Sequence, residues 1–411
     1  MKTLRAARTA PEVRVLFLLD SLATGGAERN VLALAGALDQ LGADCSVCTL
    51  NSLGDGFLAS EVVASGRRRF DLKVRRFYDP RGAFRFGSLL RKERFDVVHI
   101  EDPYCAPLGF VAKQYGIPVV FTQHVIGGGG AIRDRIRTSF FRVAVSRTVD
   151  QLIAVSEAVA ADYVRLTRFD KQRVAVVHNG ISLSSVPAID RALARRALGW
   201  SADELIVLMV GVMRPGKGHA AAVEAFALAR EVVPGARLIL AGDGPLRSDI
   251  EAMSRPLDNA VVSLGDVSNV LELMLASDVL ILPSDSEAYP TVLVEAACCG
   301  LPVIATHVGG IPEVVVHGET GFCVPQKEVV RATARELTTV LRDEALRKSM
   351  SSRARAHAKS MFAIERQAEA TMALYRRLLD DADSTHIPAE NRYRKGTRSA
   401  FSHRTVALRV R

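Results

Sequence analysis

The chain has no apolar run approaching the roughly 18 residues that a membrane-spanning helix needs, and its first 14 residues, MKTLRAARTAPEVR, are basic without the apolar stretch of a secretory signal. Both absences predict a cytoplasmic protein. Cysteine is scarce, with six among 411 residues, and that length, at roughly 150 residues per domain, predicts two or three domains and excludes a disulfide-held miniprotein. Cys45 and Cys48 form a C-x-x-C, but they lie in the apolar, strand-like run DCSVCTL with no second ligand pair nearby. They read as reduced core residues rather than a zinc or redox centre. Two glycine signatures of nucleotide binding, GxxxxGK[ST] and GxGxxG, are also missing. No Asp-x-Asp follows a strand in a place that suggests a divalent ion, and no cofactor is expected.

A surplus of one sign of charge is largely missing from the body of the chain. The formal net charge is +9, yet residues 1–14 carry four basic and one acidic group, and residues 384–411 carry seven and one. The remainder is neutral, which removes the case for a nucleic-acid partner. Within it, residues 15–182 hold 22 basic and 17 acidic groups, leaving an acidic excess in 183–383. A basic half hints at an anionic partner, although for any one cluster a solvated charged surface is the commoner reading. Hydrophobic residues at 48% and charged residues at 24% are those of a folded globular protein.

What is present is a repeated alternation of short Val/Ile/Leu-rich runs with segments of helical period, the pattern of a parallel sheet covered on both faces. The first series is VRVLFLL (13–19), CSVCTL (45–50), DVVHI (96–100), PVVFT (118–122), LIAVS (152–156) and VAVVH (174–178). The second is LIVLMVG (205–211), ARLILAG (236–242), AVVSLG (260–265), DVLILPS (278–284) and PVIAT (302–306). Strand signals stop near 326, and two or three helices follow. The expectation is an α/β protein of two doubly wound, Rossmann-like domains facing one interdomain cleft. Its boundaries are 13–182, a linker at 183–203, 204–360, a helix at 361–383 returning to the first domain, and a basic disordered tail at 384–411.

Such sheets bind ligands beyond the carboxyl ends of their strands, so functional residues should follow strands. After the first strand, Gly25-Gly26 opens an apolar-periodic helix, where bare N–H groups can meet an anion; a turn needing positive φ is the competing reading. After PVVFT comes His124, beside four glycines at 127–130. An imidazole there is placed to touch a ligand, or serves only as a structural hydrogen bonder. After LIVLMV, the run Gly211-Val212-Met213-Arg214-Pro215-Gly216-Lys217-Gly218 sets two cations around a turn suited to a diphosphate. Val267 follows AVVSLG, where backbone can meet a base edge. Glu287 and Glu295 bracket the start of a helix entered through Pro290, and carboxylates accept paired hydroxyl hydrogen bonds from a sugar ring or a ribose.

Taken together, GGAER, HNGI (178–181), the Lys-Gly after a strand, AGDGP (241–245), EAYPTVLVEAACCGLPVIAT, HVGGIPEVV (307–315) and HGETGFCVP (317–325) resemble the retaining glycosyltransferases of family 4, over about residues 13–380. The resemblance implies the GT-B fold and transfer of a sugar from a nucleotide diphosphate sugar to an acceptor hydroxyl. It puts Gly25 and Gly26 near the donor phosphate, His124 by the transferred sugar, Lys217 and Arg214 on the diphosphate and Val267 near the base. Glu287 would hold the sugar and Glu295 the ribose, with Gly309 and Gly310 also at the donor. His124, Glu287 and Lys217 are the residues implied for catalysis.

Two departures stand out. The family's usual Arg after the glycine is Val212, which Arg214 is positioned to replace, and the usual glycine after the first Glu is Ala288. An inverting transferase, a sugar-nucleotide epimerase or an inactive nucleotide-sugar-binding protein are the alternatives. For the acceptor, residues 66–94 hold eleven basic and three acidic groups interleaved with Phe70, Phe77, Tyr78, Phe84 and Phe86, and Ile132, Ile136, Phe140 and Val143 share a helical face beside arginines. That pattern favours a lipid-linked or polysaccharide acceptor and an anionic membrane surface at the inner face as a further partner.

Overall fold

The computed structural model describes residues 12–22, 25–52, 55–56, 58–74, 79–127 and 142–384. The tail, the glycines 128–130, residues 131–141, Phe77 and Tyr78 lie outside the described residues.

The described residues form two sheets, each wholly parallel. The first has seven strands: β1 (Val13–Leu19), β2 (Ala43–Thr49), β3 (Arg69–Asp71), β4 (Val97–Ile100), β5 (Val119–Gln123), β6 (Gln151–Ala154) and β7 (Val174–Val176), in the order β3-β2-β1-β4-β5-β6-β7. The second has six: β8 (Leu205–Val210), β9 (Ala236–Ala241), β10 (Val261–Gly265), β11 (Val279–Leu282), β12 (Val303–Thr306) and β13 (Gly321–Val324), in the order β10-β9-β8-β11-β12-β13. This is the expected α/β, GT-B architecture of two Rossmann-like domains. Both sheets reverse direction of growth at one point, between β1 and β4 and between β8 and β11.

Two strands had not been expected, β3 and β13. They span three and four residues at sheet edges, in RRRFDL and TGFCVP, where charge, glycine and proline break the apolar run that marks the other short strands. Their pairing is tertiary: Arg69–Asp71 lie alongside Val47–Thr49, and Gly321–Val324 alongside Val303–Thr306.

The central strand β1 is buried on both faces, and alternate residues go to opposite cores. Leu16 and Leu18 join one cluster, with Phe86, Leu90 and Phe121; Val15 and Phe17 join the other, with Leu34, Leu38, Met372 and Tyr375. Each such side chain contributes roughly 1.5–3 kcal/mol on burial. Helix Gly26–Gln40 supplies Val31, Leu34, Ala35 and Leu38 to that second cluster, the spacing of one helical face.

The helix Ile364–Ser384 packs against Gly26–Gln40 and adds Ala368, Met372 and Tyr375 to the same cluster. Its approach is fixed by backbone bonds from Ile181 N to Phe362 O (2.8 Å) and from Ile364 N to Ile181 O (3.0 Å). At Gly180 a Cβ would stand 2.7 Å from Ile364 Cα, so the HNGI turn requires glycine to let the two segments touch. Asn30 Nδ2 donates to Gly180 O and to Gln367 Oε1 beside it.

Residues 183–203 contain helix Arg191–Ala197, held to the second sheet through Asp278. That buried carboxylate accepts from Arg191 (2.5 Å), Arg195 (2.8 Å) and Ile206 N (2.8 Å). Among the described residues no helix is long and apolar enough to cross a membrane.

Candidate active site

The two reversals of strand order make crevices at the loops after β1 and β4 and after β8 and β11. In the second domain, Gly218 adopts φ +76°, and a Cβ there would come 1.9 Å from the Pro283 carbonyl oxygen. Only glycine lets the β8 loop lie so close to the β11 loop. That closeness puts Lys217 Nζ 2.7 Å from Glu287 Oε1. Glu287 is buried, so the pair works against less solvent screening than a surface ion pair.

Gly309 and Gly310 hold the other side of the Glu287 loop. Gly309 has φ +52°, and Cβ atoms on the two residues would stand 1.8 Å from Glu287 O and 2.0 Å from Ala288 O. Gly310 N donates to Glu287 O (3.0 Å). The small residues therefore position the Glu287 backbone, a role that the motif alone did not reveal.

Across the cleft, a Cβ on Gly26 would lie 3.1 Å from Thr291 Oγ1, so the first-domain helix Gly26–Gln40 begins opposite the second-domain helix Thr291–Cys299. The Glu28 carboxylate folds back over Gly25, its Oε2 where a Cβ would collide at 2.1 Å. An anion reaching that backbone needs Glu28 to turn aside. One turn into the facing helix, burial pushes the Glu295 carboxyl up to about 7, an effect that nearby Arg29 partly offsets.

His124 follows β5, and its Nε2 lies 2.8 Å from Oε2 of Glu101, which follows β4. Glu101 was not expected from the sequence, nor was Asp102. Burial, with Asp20 and Glu28 nearby, raises the Asp102 carboxyl to about 6 despite a bond from Tyr104 N, and burial raises that of Asp20. The signal that could have found all three is position, since each directly follows β1 or β4 at the reversal of strand order.

Arg214 is exposed and forms no ion pair among the described residues; Val212 is exposed, and half-buried Val267 follows the edge strand β10. The domains meet just behind Glu287. Ser156 Oγ donates to Ala288 O (2.7 Å), and His178 stacks on Tyr289 at 5.0 Å between ring centres. Glu313 of the second domain accepts from Glu157 N (2.9 Å) and Ala158 N (3.1 Å), capping a first-domain helix.

Two parallel-sheet, Rossmann-like domains in contact across the loops at their strand ends are the GT-B architecture. The sequence profile of Glycosyl transferases group 1 matches residues 190–357, and that of Glycosyltransferase Family 4 matches residues 24–185. The chain belongs to glycosyltransferase family 4, and it is a glycosyltransferase. It is 31% identical over 318 residues to the N-acetyl-alpha-D-glucosaminyl L-malate synthase of Bacillus anthracis, covering 74% of this chain and 80% of that one. It is 30% identical over 352 residues to the D-inositol 3-phosphate glycosyltransferase of Mycobacterium marinum, covering 79% and 73%. In fold it is similar to Anabaena Alr3699/HepE, crystallised with UDP and glucose, with a TM-score of 0.76, 22% identity and coverage of 88% and 99%. The sucrose-phosphate synthase of Thermosynechococcus elongatus is alike at a TM-score of 0.75, 23% identity and coverage of 90% and 100%.

Proposed function

We propose that the protein transfers a sugar from a nucleoside diphosphate sugar to an acceptor hydroxyl with retention of anomeric configuration. The observation that carries this reading is the contact between Lys217 and Glu287, a cation and a carboxylate joined at the start of two helices. Negative charge grows on the departing diphosphate as the anomeric carbon becomes oxocarbenium-like. Lys217 and Arg214 supply preorganised positive charge there, and Glu287 accepts from sugar hydroxyls beside it. Glu295 meets the ribose, and Val267 lies toward the base, two strands out from β8, or roughly 10 Å. His124, with Gly25 and Gly26, closes the cleft from the first domain. Glu287 is not the nucleophile: the acceptor attacks the face that the phosphate leaves, and the phosphate takes its proton. Thermal-shift screening of UDP-, GDP- and ADP-sugars finds the donor, with UDP-sugars first because Alr3699/HepE was crystallised with UDP-glucose. The anomeric coupling of the product by NMR then tests retention, and an inverted product overturns it.

The acceptor is a glycan or lipid-linked hydroxyl presented at the inner face of a membrane. Helix Pro80–Glu93 carries Phe84, 80% exposed, between Arg81 and Arg85, with Arg91 and Lys92 on its last turn. An exposed aromatic among cations suits an anionic headgroup layer. The protein without residues 384–411 should sediment with anionic but not neutral vesicles, less so in high salt, and Phe84→Asp should weaken it. Indifference to anionic vesicles would favour a small soluble acceptor, the second reading, which the names of the malate and inositol 3-phosphate relatives support.

A further inference from the structure

Behind His124 lies a buried chain of polar groups that the transfer reaction, as read above, does not use. His99 is on β4, and the parallel register pairs it with Val120 of β5, so Glu101 and Thr122 come opposite each other two residues on, on the same face. His99 Nε2 stands 2.7 Å from Thr122 Oγ1 and 3.3 Å from Glu101 Oε1, and His99 Nδ1 stands 2.6 Å from the Tyr375 hydroxyl. His99 and Tyr375 are fully buried, Thr122 and Glu101 nearly so. Three segments, β4, β5 and the helix Ile364–Ser384, thus meet in one line that runs from that helix to His124.

The protons in this line can be placed one by one. Burial raises the Tyr375 phenol well above its ordinary value and lowers the His99 imidazole, so Tyr375 keeps its proton and His99 is neutral. Thr122 gives its hydroxyl proton to the Glu101 carboxylate, so its Oγ1 accepts from His99 Nε2–H, and the bare Nδ1 of that neutral ring accepts from Tyr375 O–H. Burial pushes the Glu101 carboxyl up, while the hydrogen bonds from His124 and from the Thr122 hydroxyl favour its ionised form, and the balance lies below its ordinary value. An ionised Glu101 can only accept, so the remaining contact, to His124 Nε2 at 2.8 Å, requires the proton on that nitrogen. Every donor is then used once, and no buried partner is left over.

We infer that Glu101 is the positioning residue for His124: it fixes the imidazole as the Nε2–H tautomer and turns the bare Nδ1 toward the cleft as an acceptor for a substrate hydroxyl. His99 and Tyr375 hold Glu101 in turn, which ties the ring's orientation to the helix that crosses back from the second domain. The inference rests on the reading that His124 meets the transferred sugar. A histidine contacting a hydroxyl must present the right nitrogen, and a second-layer carboxylate is the usual means of selecting it.

A double-mutant cycle on the full chain tests it, with kcat and donor KM measured for the unaltered protein, Glu101→Gln, His124→Ala and the pair. Glu101→Gln should lower kcat on the order of tenfold or more while donor KM changes less than about threefold. In the His124→Ala background the same change should cost less than about twofold, since Glu101 acts only through the ring. An equal loss in both backgrounds overturns the inference, as does an unchanged kcat for Glu101→Gln while His124→Ala is impaired. If His124→Ala itself turns over normally, the role given to His124 fails, and this inference with it. Nitrogen-15 shifts of His124 in the unaltered protein give a readout that no misfolded variant can confound. At a pH where the ring is neutral, protonated Nε2 with bare Nδ1 is expected, and the opposite tautomer overturns the assignment.

Discussion

His178 Nε2 and Glu313 Oε2 stand 2.8 Å apart across the domain boundary, and the same carboxylate caps the first-domain helix Glu157–Thr167. Burial pushes the Glu313 carboxyl up, but the His178 bond and the two helix N–H groups outweigh it and hold it below its ordinary value. A carboxyl whose folded value is depressed stabilises the fold above its unfolded value, near 4.5, and that contribution is lost as pH falls through the folded value. Glu313→Gln should therefore lower the melting temperature at pH 7, by about 1 kcal/mol of stability for the lost charge-assisted bonds. The difference should shrink toward pH 3. A difference independent of pH across that range would show that the charge is not what holds the domains.

Glu295 presents the opposite sign. Its carboxyl is raised to about 7, chiefly by burial, so the folded state binds more protons and stability falls as pH rises from about 4.5 to 7. Glu295→Gln should remove that cost and raise the melting temperature at pH 8, by on the order of 1 kcal/mol after allowance for partial exposure, with little change at pH 4. The same variant should weaken binding of both donor and free nucleoside diphosphate, because the ribose is common to each. Glu287→Gln should spare the free nucleotide and lower transfer. Calorimetry at two pH values with isothermal titration of the nucleotide separates the outcomes, and equal nucleotide losses in the two variants would refute the division of roles.

Arg214 and Lys217 share one strand-to-helix loop, yet among the described residues only Lys217 forms an ion pair, to Glu287. A charge-assisted contact to a diphosphate contributes on the order of 1.5–3 kcal/mol. Arg214→Ala should cost at least about tenfold in transfer, with the fold unaffected because its side chain is exposed. Val212→Arg should restore part of that loss. Steady-state rates of the single and double variants decide the point; full turnover by Arg214→Ala beside a dead Lys217→Ala would mean that one cation suffices.

The central strands were legible because each is buried on both faces and must be apolar along its whole length: β1 reads VRVLFLL and β8 reads LIVLMV. The places of the Gly25-Gly26 pair, Lys217, Glu287 and Glu295, after a strand or at the start of the next helix, were legible because spacing along the chain is local. Edge strands β3 and β13 were not, since the charged RRRFD and the glycine- and proline-bounded GFCVP lack the Val-rich run that marked the equally short edge strand β7 in VAVVH.

The sequence by itself thus determined the central strands of both sheets and the loops that follow them, because burial and backbone freedom act on neighbours along the chain. Tertiary structure alone decided that Gly309 and Gly310 brace the Glu287 backbone, that Glu313 caps a helix of the other domain, and that His124 is backed by Glu101, Thr122, His99 and Tyr375. Tyr375 is separated from His99 by 276 positions. No local preference encodes such a contact; it exists because the last helix crosses back through the opening that Gly180 leaves and packs its one apolar face beside β1.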